Sequence, residues 1–282
     1  MNGAAELVAS ASDLAALPSS YVRLTRALEA PGATAEQISG AVRLDPALTA
    51  RLLRLVNSPA YAPKRPVESI AHAVSLAGTS LIKRLALATS MVRLFKGLPE
   101  NLVNMRSFWT HSVAVAIGSG ALAARMKNGP RGDGVFVGGL LHDLGTLLLC
   151  LKCPNEVRQI LTDADQRQIP HDQIEREILG FSHADVGAQL LLAWGLPPQI
   201  VAAAAWHPSP SRTPTDLRPV VDLVHLADVM ASALQIGGAG ERAAHRMDLA
   251  ALERTGLGPE DFRVAAEQVE LQVSHVVDAM VS

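Results

Sequence analysis

Three observations predict an all-α protein. Apolar residues fill 49% of the 282 positions while aromatics fill only 4%. Ala and Leu therefore supply most of the packing, and both favour helices. No run of alternating β-branched residues reads as a strand, and short stretches of helical periodicity recur between Pro and Gly punctuation.

The elements follow in order. Residues 1–16 form a short leading helix, broken at Leu17-Pro18, and Tyr21 to Leu28 is the next. After the Pro31-Gly32 turn, Thr34 and Gln37 stand three apart as a capping-box start. Asp45 before Pro46 is a strong start for another helix. Its face carries Leu48, Leu52, Leu55 and Val56, with Arg51 and Arg54 expected off that face, and Asn57 to Pro59 stop it. Val67 to Leu76 ends at Gly78, and Thr79 or Ser80 opens a helix running to about Phe95.

Leu98-Pro99 marks a boundary, after which a long helix spans about Leu102 to Met126 with Trp109 as a packing residue. One helix is expected to carry Gly139-Leu140-Leu141-His142-Asp143-Leu144-Gly145 and to end near Pro154. Two helices occupy 155–180, and Ser182 caps another. Ile200 to Trp206, Val220 to Leu234, Asp248 to Thr255 and Pro259 to Met280 complete the set, with a Pro-rich surface loop at 208–219 and a glycine break at Gly237 to Gly240. The organisation read from this pattern is an N-terminal helical part (1–98), a second helical part (99–240) and a C-terminal hairpin (241–282).

Composition narrows the function classes. A mean hydropathy of +0.20 suits a globular chain and argues against disorder. Glu6 and Asp13 interrupt the N-terminal apolar residues, so no signal peptide is expected. No uncharged apolar run is expected to reach membrane-spanning length, and a cytoplasmic protein is the expectation. Net charge is −2. Residues 1–100 hold eleven Lys/Arg against seven Asp/Glu, or +4, which reads as a solvated surface more readily than as a nucleic-acid site. Cys150 and Cys153, the only cysteines, follow an apolar run and read as core thiols, the alternatives being a redox pair or half a zinc site.

The chemistry-bearing residues lie at His111, His142-Asp143, His183, His207 and the pair His225 and Asp228. His142 and Asp143 sit inside an apolar run, where each needs a partner. A metal ion or ordinary hydrogen bonds would both satisfy them. His72, His245 and His275 fall outside any cluster and read as structural or exposed.

In order, Trp109-Thr110-His111, then the Gly139 to Gly145 run with His142-Asp143, then Asp228 resemble the H…HD…D pattern of the HD phosphohydrolase superfamily. More narrowly, the chain resembles HDOD (HD-related output domain) proteins. Asp45 to Ser58 is similar to that family's first motif, Phe181 to Pro197 to a later one, and Trp206-His207 falls where the family often has a histidine pair. The resemblance covers about residues 15–235.

It implies an N-terminal helical bundle packed on an HD-type helical bundle. It also implies that His111, His142, Asp143 and Asp228 hold a divalent metal, with His183 and His207 at places comparable to those that hold a second metal in HD-GYP phosphodiesterases. Such a nitrogen and carboxylate set suits Fe, Mn, Zn or Ni, as one ion, two or none. The departures from HD-GYP enzymes are equally specific. Thr146 stands where a lysine follows the HD dipeptide, no Gly-Tyr-Pro segment exists, and the two tyrosines, Tyr21 and Tyr61, lie far upstream. Arg125 or Lys127 would have to stand in for the missing cation.

The expectation is a non-catalytic signal-transduction module with no catalytic residue, acting through signalling proteins or a nucleotide second messenger, in the cytoplasm and as a homodimer or alone. The alternative is a metal-dependent phosphohydrolase or phosphodiesterase in which Asp143 serves the reaction.

Overall fold

The computed structural model describes residues 3–281 except 12, 13, 15, 60, 96, 131, 132 and 239–245. Two of the sequence expectations, on His245 and on the Ala239-Gly240 part of the glycine break, lie outside the described residues. Among those described, every regular element is a helix. Contacts divide the chain into two units: Leu17–Lys96 with Ser274–Ser282, and Met1–Ala16 with Gly97–Val273.

The smaller unit holds α2 (Ser19–Glu29), α3 (Ala35–Arg43), α4 (Pro46–Val56) and α5 (Ile70–Leu94). Its helix starts follow the sequence signals. The Thr34 hydroxyl accepts from the Gln37 N–H while the Gln37 side chain accepts from the Thr34 N–H. Asp45 accepts from the Leu48 N–H at 3.0 Å, and Pro46 costs nothing at a position whose N–H has no helical partner. Gly78, at φ 74°, breaks α5 into the two expected helices. That left-handed conformation is one that residues with a Cβ rarely adopt.

Leu48, Leu52, Leu55 and Val56 are all buried, as their spacing predicts. Arg51 is buried too, against expectation. Positions 48, 51, 52 and 55 form an i, i+3, i+4, i+7 row, so Arg51 belongs to the inward stripe. Arg54 does turn outward and reaches the Asp278 carbonyl.

The larger unit begins with α1 (Ala4–Ala9) and continues with α6 (Met105–Arg125), α7 (Gly134–Leu141), α8 (Leu144–Lys152), α9 (Pro154–Arg167) and α10 (His171–Leu179). After these come α11 (His183–Ala193), α12 (Pro198–Trp206), α13 (Arg218–Ala233) and α14 (Leu249–Thr255). The last helix, α15 (Pro259–Val281), contributes residues to both units. The core of the larger unit is built from α6, α7, α8, α11, α12 and α13. Trp109 is fully buried there, its ring edge-on to Phe108 at 5.1 Å between centroids. Trp194 donates its indole N–H to the Leu14 carbonyl at 2.7 Å, tying the N-terminal segment to this core.

One expectation about the core helices is corrected here. The helix expected to run through His142-Asp143 is broken: α7 ends at Leu141, α8 begins at Leu144, and Asp143 sits at φ −96°, ψ 7°. This sparsely populated bridge region often holds active-site residues. Gly134–Lys152 has the length and hydropathy of a membrane-crossing segment, but Asp143 and Lys152 keep it from being an uncharged run. In the fold, 78% of it is buried and the His142-Asp143 turn interrupts it, as suits the central element of a helical core.

Close backbone approach fixes that turn. A Cβ on Gly139 would lie 2.9 Å from the Ala116 Cα on α6. A Cβ on Gly145 would lie 2.0 Å from the His183 carbonyl oxygen on α11. Glycine at both ends of the dipeptide lets α7 and α8 press against the helices that carry His111 and His183.

Candidate metal centre

All six side chains singled out in the sequence come together in the larger unit. His111 projects from α6, His142 and Asp143 from the α7–α8 turn, and His183 from the first position of α11. His207 caps the C-terminus of α12, and Asp228 lies on α13. Each is buried.

On three of the four histidines the outward-facing ring nitrogen is bound to a fixed acceptor. His142 Nδ1 lies 2.7 Å from the Gly139 carbonyl oxygen. A carbonyl only accepts, so Nδ1 carries the hydrogen. By the same logic His207 Nδ1 donates to the Ala204 carbonyl at 3.0 Å. His183 Nδ1 donates to Glu175 Oε2 at 2.7 Å, and the same carboxylate oxygen accepts the His183 backbone N–H at 2.7 Å. Fixing the hydrogen on Nδ1 turns three Nε2 lone pairs inward.

Those lone pairs converge on Asp143. Its Oδ1 is 3.3 Å from His207 Nε2 and 3.5 Å from His183 Nε2, and its Oδ2 is 3.4 Å from His142 Nε2. His183 and His207 meet Nε2 to Nε2 at 3.4 Å. On the other side of His142, Asp228 Oδ1 lies 3.0 Å from His111 Nε2 and 4.0 Å from His142 Nε2. The geometry yields two triads that share His142: His111, His142 and Asp228, and His142, Asp143 and His207.

This electrostatic arrangement calls for a cation. Acceptor atoms with no hydrogen between them repel, and buried polar atoms are costly when unpaired. Among the described residues, the buried His142 Nε2 has no hydrogen-bond partner. Burial pushes His142 down, but the carboxylates of Asp143 and Asp228 outweigh it and hold the imidazole above its ordinary pKa. Burial likewise pushes Asp143 up, and is outweighed by the imidazoles of His142, His207 and His183, which hold it well below the usual carboxylate range. Burial lowers His207 to about 4, so its Nε2 stays bare at neutral pH. A proton on His142 and a divalent ion are thus alternative occupants of one negative pocket. Nitrogen and carboxylate donors fit Fe, Mn, Zn or Ni.

Glu175 is the site residue that the sequence reading missed. A carboxylate behind a ligating histidine fixes its tautomer and strengthens it as a donor. The signal was present: His171, Ile174, Glu175 and Ile178 share the i, i+3, i+4, i+7 face of α10, and the first three are buried.

His225, three residues before Asp228, does not join the centre. Its Nδ1 donates to the His207 carbonyl at 2.8 Å, and its Nε2 accepts the Asp248 N–H at 2.9 Å. Arg125 does not replace the missing lysine either: it pairs with Asp261 at 2.7 Å and lies about 21 Å along α6 from His111. Lys127 follows beyond the end of α6 and is exposed. Cys150 and Cys153 are both buried free thiols, as the core reading expects.

Comparisons with known proteins agree with this architecture. The family model for the HDOD domain matches residues 14–210. An uncharacterised protein of Treponema pallidum is 24% identical over 232 residues, which span 80% of this chain but only 44% of that longer protein. An HDOD domain protein of unknown function from Geobacter sulfurreducens has the same fold, with a TM-score of 0.75, 25% identity, and coverage of 94% of this chain and 91% of its own. A protein from Shewanella amazonensis, provisionally named a phosphohydrolase, superposes with a TM-score of 0.76 at 22% identity, with 98% of each chain covered. The family match spans more than half of the sequence and includes five of the six centre residues, and the chain belongs to the HDOD family.

Proposed function

We propose that this chain is a metal-holding HDOD signalling module that does not turn over phosphoesters. The observation that carries the reading is the convergence of three inward Nε2 atoms on Asp143, each with its hydrogen committed to Nδ1. His111, His142 and Asp228 would hold one divalent ion, and Asp143 with His142, His183 and His207 a second. Such ions supply Lewis acidity and can lower the pKa of bound water. This chain's own residues would position them: Glu175 orients His183, and the Gly139 and Ala204 carbonyls orient His142 and His207.

Two observations favour a regulatory over a hydrolytic role. The side chains of the centre are at most 10% exposed, which leaves a substrate phosphate little access. Thr146 replaces the cation that follows the HD dipeptide in HD-GYP enzymes, and Arg125 is engaged by Asp261. The output of such a module would be a conformational state read by a signalling protein or set by a nucleotide signal.

The second reading is a metal-dependent phosphodiesterase. It is favoured by the assembly of five of the six ligand positions in two triads that share His142, with His183 Nε2 3.5 Å from Asp143. Elemental analysis combined with a bis-p-nitrophenyl phosphate assay separates the two. Bound metal without turnover supports the module. Turnover that disappears in His142→Ala would install the enzyme instead.

A further inference from the structure

The smaller unit holds a cavity of about 410 Å3 that none of the six centre residues lines. Its volume falls within the usual range for small-molecule sites. The walls are apolar: Leu24 and Ala27 from α2, Ala41 from α3, Leu48 from α4 and Ala86 from α5. Three polar features distinguish it from a packing defect.

The first is its charge. Arg23 and Arg26 line it from successive turns of α2, and both are exposed. Among the described residues Arg26 has no hydrogen bond or ion pair, and Arg23 has only a long one to Ser19 at 3.4 Å. The second is the state of the one lining carboxylate. Both oxygens of Asp45 are taken by Arg93, at 2.9 and 3.0 Å, and one also accepts the Leu48 N–H. Asp45 therefore does not neutralise the α2 arginines. The third is Thr89 on α5, a lining residue only 2% exposed, whose buried hydroxyl has no hydrogen-bond partner among the described residues.

We propose that this cavity is a binding site for a small organic anion: a planar or aliphatic apolar body seated among Leu24, Ala41, Leu48 and Ala86, with its carboxylate or phosphate at Arg26 and Arg23. The assignment follows from complementarity. The apolar walls favour removal of a hydrocarbon surface from water. The two guanidinium groups offer charge-assisted donors that a neutral ligand would leave unused. Every residue that lines the cavity belongs to the smaller unit.

A matched pair of probes tests it on the full chain: 1-naphthaleneacetate and its neutral amide, 1-naphthaleneacetamide, titrated by isothermal calorimetry. The acid is expected to bind at one equivalent and the amide more weakly. Arg26→Ala should weaken the acid about fivefold while leaving the amide unchanged. Ala41→Trp and Ala27→Trp, which fill the cavity from two different helices, should each abolish binding of both probes, with circular dichroism checking the fold. The proposal is overturned by equal affinity for acid and amide, by acid binding that survives both tryptophan variants, or by no acid binding at millimolar concentration.

Discussion

The Nε2 atoms of His183 and His207 face each other at 3.4 Å, although the other nitrogen of each ring already carries its hydrogen toward a fixed acceptor. Two lone pairs aimed at one another beside a carboxylate make sense when a cation is shared between them.

Glu175 accepts both the ring and the backbone N–H of His183 with one oxygen. Glu175→Gln keeps an acceptor but removes the charge, and Glu175→Ala removes both. Loss of such a partner typically weakens metal affinity about 10- to 100-fold. Chelator competition on the purified variants should find the alanine variant weaker than the glutamine variant. Wild-type affinity in both would show that the carboxylate does not act through His183.

Gly145 lies where a Cβ would meet the backbone of His183 at 2.0 Å and the Gly187 nitrogen at 2.6 Å. Neither atom belongs to a flexible side chain. Gly145→Ala should therefore destabilise the larger unit by about 1–3 kcal/mol or more. Gly40, in α3, has open space around its Cβ position. Gly40→Ala should stabilise slightly, by about 0.5–1 kcal/mol. Urea melts of the two variants should move in opposite directions.

Asp45 is pulled below its ordinary carboxylate value of 3.8 by the Arg93 guanidinium. A carboxyl with a depressed folded-state pKa adds stability above its unfolded value, and loses it as pH falls through the folded value. Asp45→Ala, which removes a helix cap and an ion pair, should cost about 1–2 kcal/mol at neutral pH. The gap between variant and wild type should close as pH drops below about 4, in denaturation curves taken across that range.

Burial pushes the Cys150 thiol up to about 12 and also raises Cys153. Thiolate is the reactive form, so neither cysteine should react with a disulfide reagent at pH 8 in the folded chain. Both should react once it is unfolded. Rapid modification of the native protein would contradict their placement in the core.

The helical architecture was legible because its signals are local. Thr34, Asp45 and Gly78 mark helix ends through their own backbone and side-chain chemistry, and each does so in the fold. The six centre residues were legible through their order, which matches a family pattern. What escaped was tertiary. Nothing in the helical periodicity of residues 134–152 announces the turn at His142-Asp143, because it is set by the approach of α6 and α11 to Gly139 and Gly145. Arg51 was misread and Glu175 was missed for one shared reason. A charged residue on an amphipathic helix is ordinarily solvated, and only its exact register against the apolar stripe reveals that it points inward.

Metal content, measured on protein purified without metal-affinity resin or chelator, tests the central claim most directly. The convergence on Asp143 predicts one or two equivalents of Fe, Mn, Zn or Ni, lost in His142→Ala and recovered poorly at acidic pH, where protons compete for the same imidazoles. A wild-type protein that is fully folded, free of metal and unchanged in melting temperature by any of these ions would contradict it.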